Sequence, residues 1–156
     1  MTKTHDYLAQ IIWTGDRGQG TRHFRGYDRT WRITTPGKLP IECSNDPLLG
    51  GDAGKPNPED LLLSSLASCH MLWYLHLASK AGIVVRAYED NPLGVGETGP
   101  RGEGRFLRAT LRPRITVERG ADLATADALH AEVHHYCFIA RSVNFPIAYE
   151  ASYSEV

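Results

Sequence analysis

Apolar side chains crowd most densely between Asn57 and Gly82, where the run NPEDLLLSSLASCHMLWYLHLASKAG reads as one helix. Asn57 suits an N-cap, Pro58 the first helical position, and Glu59 and Asp60 place negative charge on the first turn. Lys80 falls in the last turn and Gly82 just past it, which is how helices commonly stop. In between, Leu61, Leu62, Leu63, Leu66, Met71, Leu72, Trp73, Leu75 and Leu77 cover almost every side, so the helix is expected to be buried. Its acids, histidines and serines are too many polar groups for a lipid span, which makes protein the covering medium.

The rest of the chain alternates at a period of two. Tyr7, Ala9, Ile11 and Trp13 predict a half-buried strand, ended by the glycine-rich turn Gly15-Asp16-Arg17-Gly18-Gln19-Gly20. Residues 21–34 predict a second and a third strand, with Trp31 and Ile33 on one face. A long loop is expected over 35–56, with Cys43 in it, and a surface hairpin loop over 91–104. A strand restarts at Ile83 and runs to Tyr88. Leu107, Ala109, Leu111, Ile115 and Val117 then face one way, while Arg108, Thr110, Arg112, Arg114 and Thr116 face the other. Pro113 marks this segment as an edge or bulged strand. Asp122 caps a second helix carrying Leu123, Ala126, Leu129, Val133 and Tyr136, with Cys137 at its end. Ile147, Tyr149, Ala151 and Tyr153 predict a last strand. Strands, buried helix, strands, helix, strand is an α+β order with mostly antiparallel pairing.

Length and charge narrow the function classes. The chain has 156 residues, which suits a single domain over 1–156 with a sizeable core. A formal net charge of -1 with mixed signs gives no electrostatic case for nucleic acid or an anionic membrane as partner. No charged segment followed by an apolar one opens the sequence, so no secretory signal is read and a cytoplasmic location is expected. Three cysteines, Cys43, Cys69 and Cys137, make a poor disulfide framework; they read better as thiols available for chemistry.

Cys69 lies mid-helix, where the backbone dipole cannot activate it, and burial alone would leave it inert. Three residues offer what it lacks. Cys137 is a second thiol, Arg17 a cation on a glycine-rich turn, and Glu59 a carboxylate able to orient a guanidinium. Asn57-Pro58-Glu59 with Cys69 ten residues after the glutamate resembles the signature of the OsmC/Ohr family. So do Thr14-Gly15-Asp16-Arg17 after the first strand and the late Cys137. The order of elements is similar too, so the resemblance covers essentially the whole chain.

That resemblance implies an OsmC-like α+β fold, with mostly antiparallel sheets wrapped around central helices in an intertwined homodimer. It implies a thiol-dependent peroxidase acting on organic or inorganic hydroperoxides, with no metal and no cofactor. Cys69 would be the attacking thiolate and Cys137 the resolving thiol. Arg17 would stabilise the thiolate and polarise the peroxide, and Glu59 would hold Arg17. An external dithiol would restore the pair, and family members are commonly recycled by lipoyl dithiols. Arg22, Arg25, Arg29 and Arg141 are alternative cations.

Two other readings stand beside this one. His130, His134 and Cys137 at i, i+4, i+7 share a helical face and could ligate zinc, with Cys69-His70 completing the shell. Trp73, Tyr74, Phe138 and Ile139 could line an apolar pocket for a bulky hydroperoxide or be plain core, and a catalytically silent protein could use the same apolar cleft to hold a small ligand. Helix geometry adds a constraint to the peroxidase reading. Glu59 and Cys69 are separated by about 15 Å along the helix axis and rotated by roughly 80°, so no glutamate side chain joins them. Either Arg17 spans the gap or the glutamate comes from a second copy, which predicts an obligate homodimer with shared sites.

Overall fold

The computed structural model describes residues 2–156 and resolves the chain into two compact units, the first ending at Leu61 and the second Leu62–Val156.

The first unit is a three-stranded antiparallel sheet in the order β1-β2-β3, with β1 at Gln10–Trp13, β2 at Thr30–Thr34 and β3 at Ile41–Ser44. Trp13 pairs with Trp31 and Ile33 with Ile41, which fixes the register. Two expectations need correcting here. The segment 21–34 holds one strand, because its first half is taken up by consecutive turns. The 35–56 segment is also no simple loop: β3 crosses it and buries Cys43 completely. β1 leaves Ile11, Ile12 and Trp13 exposed.

The second unit is built on the two expected helices. α1 spans Pro58–Lys80, its first turn lying before the boundary between the units, and α2 spans Leu123–Tyr136. Strands β4 (Val85–Asp90), β7 (Pro113–Val117) and β9 (Ser152–Glu155) form one sheet in the order β4-β7-β9. Strands β5 (Leu93–Thr98), β6 (Gly104–Leu111) and β8 (Ile147–Tyr149) form another in the order β5-β6-β8. The β4–β7 and β5–β6 pairs are antiparallel, whereas β6–β8 and β7–β9 are parallel.

The expected alternation keeps its parity from Ala109 on, with Ala109, Leu111, Ile115 and Val117 all buried, whereas Leu107 falls at a register shift and is exposed. Yet the segment is two strands, and Pro113 is no edge residue. It opens β7, the central strand of its sheet, a first position where the missing N–H does no harm. Arg112 is the crossing point, its N–H donating to Asp90 Oδ1 at 2.8 Å. The last strand splits in the same way at Glu150–Ala151, and the Glu150 N–H returns to the Leu111 carbonyl at 2.8 Å. The expected 91–104 loop contains β5, which the hairpin with β6 pairs along its whole length. The core gathers Leu66, Tyr74, Leu111, Ile115, Val117, Val133 and Cys137 between the helices and these strands.

Candidate functional site

α1 begins where its sequence says it should. The Asn57 side chain accepts from the Asp60 N–H at 2.7 Å, and the Asp60 carboxylate accepts from the Asn57 N–H at 3.1 Å, a reciprocal cap. It stops at Gly82, whose φ of 74° lets the Ile83 N–H reach back to the Ala78 carbonyl at 2.9 Å. Leu66, His70, Tyr74 and Ala78, spaced four apart, form the buried stripe. Cys69 stands one residue off this stripe and is half-buried. The opposite side leaves Leu72 64% exposed, so the all-round cover expected for this helix is not supplied within the chain.

α2 is capped by Asp122, whose carboxylate accepts from the Ala124 and Thr125 N–H groups at 3.1 Å each. Its C-cap is Cys137, fully buried. The Cys69 sulfur neighbours the Cys137 thiol and acts on it, although no hydrogen bond of good geometry joins the two among the described residues. Burial pushes the Cys137 thiol up to about 11, the neighbouring Cys69 sulfur adds to this, and the Ala140 N–H donating to Cys137 Sγ at 3.4 Å partly offsets it. Cys137 therefore holds its proton at neutral pH, and Cys69 is the sulfur with solvent access. Both cysteines are free thiols here.

Arg17 sits on the glycine turn as expected. Asp16 shapes that turn by accepting from the N–H groups of Gly18 at 2.7 Å and Gly20 at 2.8 Å. The Arg17 guanidinium donates to the Arg25 carbonyl at 2.5 Å and pairs with Asp28 at 3.5 Å. Glu59 is exposed on the first turn of α1 and makes no ion pair among the described residues. Within one chain, then, Asp28 is the carboxylate partner of Arg17. Of the alternative cations, Arg29 is stacked over Phe24 at 4.5 Å and Tyr27 at 5.1 Å.

Two histidines that the zinc reading named, His70 and His130, belong instead to a buried polar chain with Tyr153 that the sequence did not reveal. His70 Nε2 and His130 Nδ1 are 2.8 Å apart with their rings nearly coplanar, at 8°. His130 Nε2 lies 3.1 Å from the Tyr153 hydroxyl, and Tyr74 and Tyr149 sandwich the imidazole at 4.4 and 4.9 Å. Burial pushes both histidines down to about 4, with His130 and His134 adding to the effect on His70. Tyr74 packs beside Tyr153, but its hydroxyl closes no hydrogen bond of good geometry. The available signal was a histidine interrupting each apolar stripe, at His70 between Leu66 and Tyr74 and at His130 between Ala126 and Val133.

This chain displaces the zinc reading. Both nitrogens of His130 are occupied, and no cluster of three or more metal-ligating side chains gathers among the described residues. The proposed lining residues divide. Tyr74 is core, and Ile139 packs against the core. Trp73 stacks on Tyr136 at 5.0 Å, and Phe138 is 61% exposed. A shallow cleft of about 260 Å³ over Leu72, Trp73 and His76 opens on the exposed side of α1, one turn from Cys69.

The comparisons agree on one family. The model of the family described as OsmC-like protein matches residues 50–152. An OsmC-like protein of unknown function from Vibrio cholerae superposes with a TM-score of 0.86 at 24% identity, over 96% of this chain and 100% of that one. An organic hydroperoxide resistance protein from Elizabethkingia anophelis, crystallised with thiocyanate, gives 0.70 at 16% identity over 100% of both chains. The OsmC organic hydroperoxide resistance protein of Legionella pneumophila gives 0.66 at 19%, over 98% of this chain and 99% of that one. No protein of curated function matches the sequence. At these identities the structural likenesses establish the fold.

Proposed function

The chain belongs to the OsmC-like family, and on that premise we propose that it is a cysteine-based peroxidase reducing organic hydroperoxides. The observation that carries the reading is the meeting of a half-exposed Cys69 with a fully buried, protonated Cys137 across two packed helices. Their unequal exposure supports the following order of events. The Cys69 thiolate attacks the outer oxygen of the hydroperoxide, the O–O bond breaks, and the leaving alkoxide takes a proton to become an alcohol. Cys69 is left as a sulfenic acid. The Cys137 sulfur then attacks that sulfur, an S–S bond forms, and the hydroxyl leaves as water. An external dithiol, of the lipoyl type that the family resemblance implies, reduces the disulfide by exchange.

Arg17 and Glu59 keep, within this proposal, the roles of thiolate-stabilising cation and its orienting carboxylate. Because Glu59 makes no ion pair among the described residues, the proposal includes a homodimer in which a second copy brings the carboxylate. The uncovered apolar positions Ile11, Ile12, Trp13 and Leu72 support a second copy as the missing cover. The proposed enzyme works in the cytoplasm, where thiols stay reduced.

The test is peroxide consumption by rapid mixing with cumene hydroperoxide. Cys69→Ser is expected to consume none. Cys137→Ser is expected to react once per chain and then stop at sulfenic acid or overoxidise. Full turnover by Cys69→Ser would end the proposal.

A further inference from the structure

A cavity of about 290 Å³ opens in the second unit among α1, α2, β6 and β8. Its walls are mostly apolar, with Leu66, Leu111, Ala140 and Ile147, and neither cysteine lines it. No lysine, arginine or carboxylate lines it either; the ionisable groups on its wall are His70, His130, His134 and Tyr149. Of these, His70 is only 6% exposed, and its second ring nitrogen has no protein partner among the described residues. A mostly apolar cavity near the small end of the roughly 300–1,000 Å³ range, with one buried polar pole, is the usual form of a small-ligand site.

The polar pole has an unusual property that follows from its hydrogen bonds. If His130 Nδ1–H donates to His70 Nε2, then His130 Nε2 accepts from the Tyr153 hydroxyl, and the free nitrogen of His70 carries a hydrogen and donates. If His70 Nε2–H donates instead, then His130 Nε2–H donates to the Tyr153 oxygen, and the free nitrogen of His70 accepts. The two states differ only in which nitrogen of each imidazole carries its hydrogen and in the direction of the Tyr153 hydroxyl, so His70 is a donor in one and an acceptor in the other with no change in charge. A ligand with one hydroxyl can use either state. A carboxylate can use only the donor state, and it would bring an uncompensated charge into an apolar cavity.

We propose that this cavity is a binding site for a small neutral hydroxyl-bearing amphiphile, an alcohol or phenol, held through its O–H by His70 with its hydrocarbon part against Leu66, Leu111 and Ile147. His130 and Tyr153 act behind His70 and do not touch the ligand. The inference is independent of the thiol chemistry, since it uses neither cysteine.

Benzyl alcohol and benzoate, matched in size and different in charge, are the probes, and the full-length protein labelled with 15N-histidine is the target at pH 7.5. Benzyl alcohol is expected to shift the ring nitrogens of both His70 and His130 saturably, with an affinity on the order of millimolar for so few heavy atoms. Benzoate is expected to bind at least about tenfold more weakly, the equivalent of one good hydrogen bond. Ala131→Phe fills the cavity from the wall of α2 without altering the histidine pair, and should weaken benzyl alcohol by about tenfold or more while the unliganded ring signals stay in place. Should that variant fail to fold, Ala148→Leu fills the cavity from β8 and is read in the same way. Benzoate binding as tightly as the alcohol, no histidine shift at alcohol saturation of the solution, or undiminished binding in the filled variant would each overturn the proposal.

Discussion

The protein should lose stability between pH 6.5 and 4, and the histidine pair sets both the window and the size of the loss. His70 and His130 each fall from an ordinary 6.5 to about 4 in the folded chain, chiefly through burial. The unfolded chain therefore binds more protons than the folded one throughout that interval. Stability from the neutral pair is fully present above pH 6.5 and is lost progressively as the pH drops toward 4. At pH 5 the linkage amounts to ~2 kcal/mol for one such imidazole. For the pair the figure is roughly 2–4 kcal/mol, because the first proton taken up can sit between two nitrogens 2.8 Å apart. Set against a typical 5–15 kcal/mol for a whole domain, that loss is large.

Urea unfolding at fixed protein concentration, followed at pH 8, 7, 6.5, 5.5 and 5, measures it. The midpoint should hold steady between pH 8 and 7 and then fall steeply, with the slope against denaturant unchanged. His70→Gln/His130→Gln retains a hydrogen-bonding pair that does not titrate, so its curve should be nearly flat across the same interval. The carboxylates held low by hydrogen bonds, Asp16, Asp52, Glu89 and Asp122, act only at more acidic pH, since each starts from 3.8 or 4.5 and is shifted downward. A wild-type midpoint that does not move between pH 7 and 5, or a double variant that falls just as steeply, refutes the linkage.

Two further outcomes follow from the glycine turn and from the proposed dimer. A Cβ on Gly15 would stand 1.8 Å from the Asp28 carbonyl oxygen, so Gly15→Ala must move the backbone that presents the ion partner of Arg17. A cost of ~1–3 kcal/mol is expected, lowering the melting temperature by roughly 2–10 °C, and an unchanged melting temperature contradicts it. Cys69→Ser chains refolded with Glu59→Ala chains should recover peroxidase activity in the heterodimer if the carboxylate acts across the two-fold axis. Mixtures as inactive as their parents, or a chain that sediments as a monomer at micromolar concentration, reject the shared site.

What was legible in the sequence is what short-range physics writes there. The Asn57–Asp60 cap and the Gly82 stop fixed both ends of α1, and Asp122 fixed the start of α2, because a cap is a contact between residues three or four apart. The buried parity from Ala109 to Val117 was equally plain, since alternation survives the crossing from one sheet to another. The crossing itself was not, because alternation carries no record of which neighbour a strand pairs with. Pro113 was taken for an edge signal when it marks the first residue of a central strand. Glycine misled in β5 for a different reason. A side chain on Gly94 would meet the Phe106 ring at 2.5 Å, so that glycine answers to packing across the hairpin and not to a turn. The candidate site divides along the same line. Cys69 and Cys137 stood out only through their setting, since the Asn57-Pro58-Glu59 spacing to Cys69 and the late second cysteine resemble the OsmC/Ohr pattern. The hydrogen bond from His70 to His130 joins residues 60 apart, and each ring looked locally like a polar intruder in an apolar stripe. What makes the pair tolerable is mutual: each imidazole is the other's partner, and Tyr153 closes the chain behind them. A polar group buried deep in a helix stripe is therefore a question about a distant element, one that only the fold can answer.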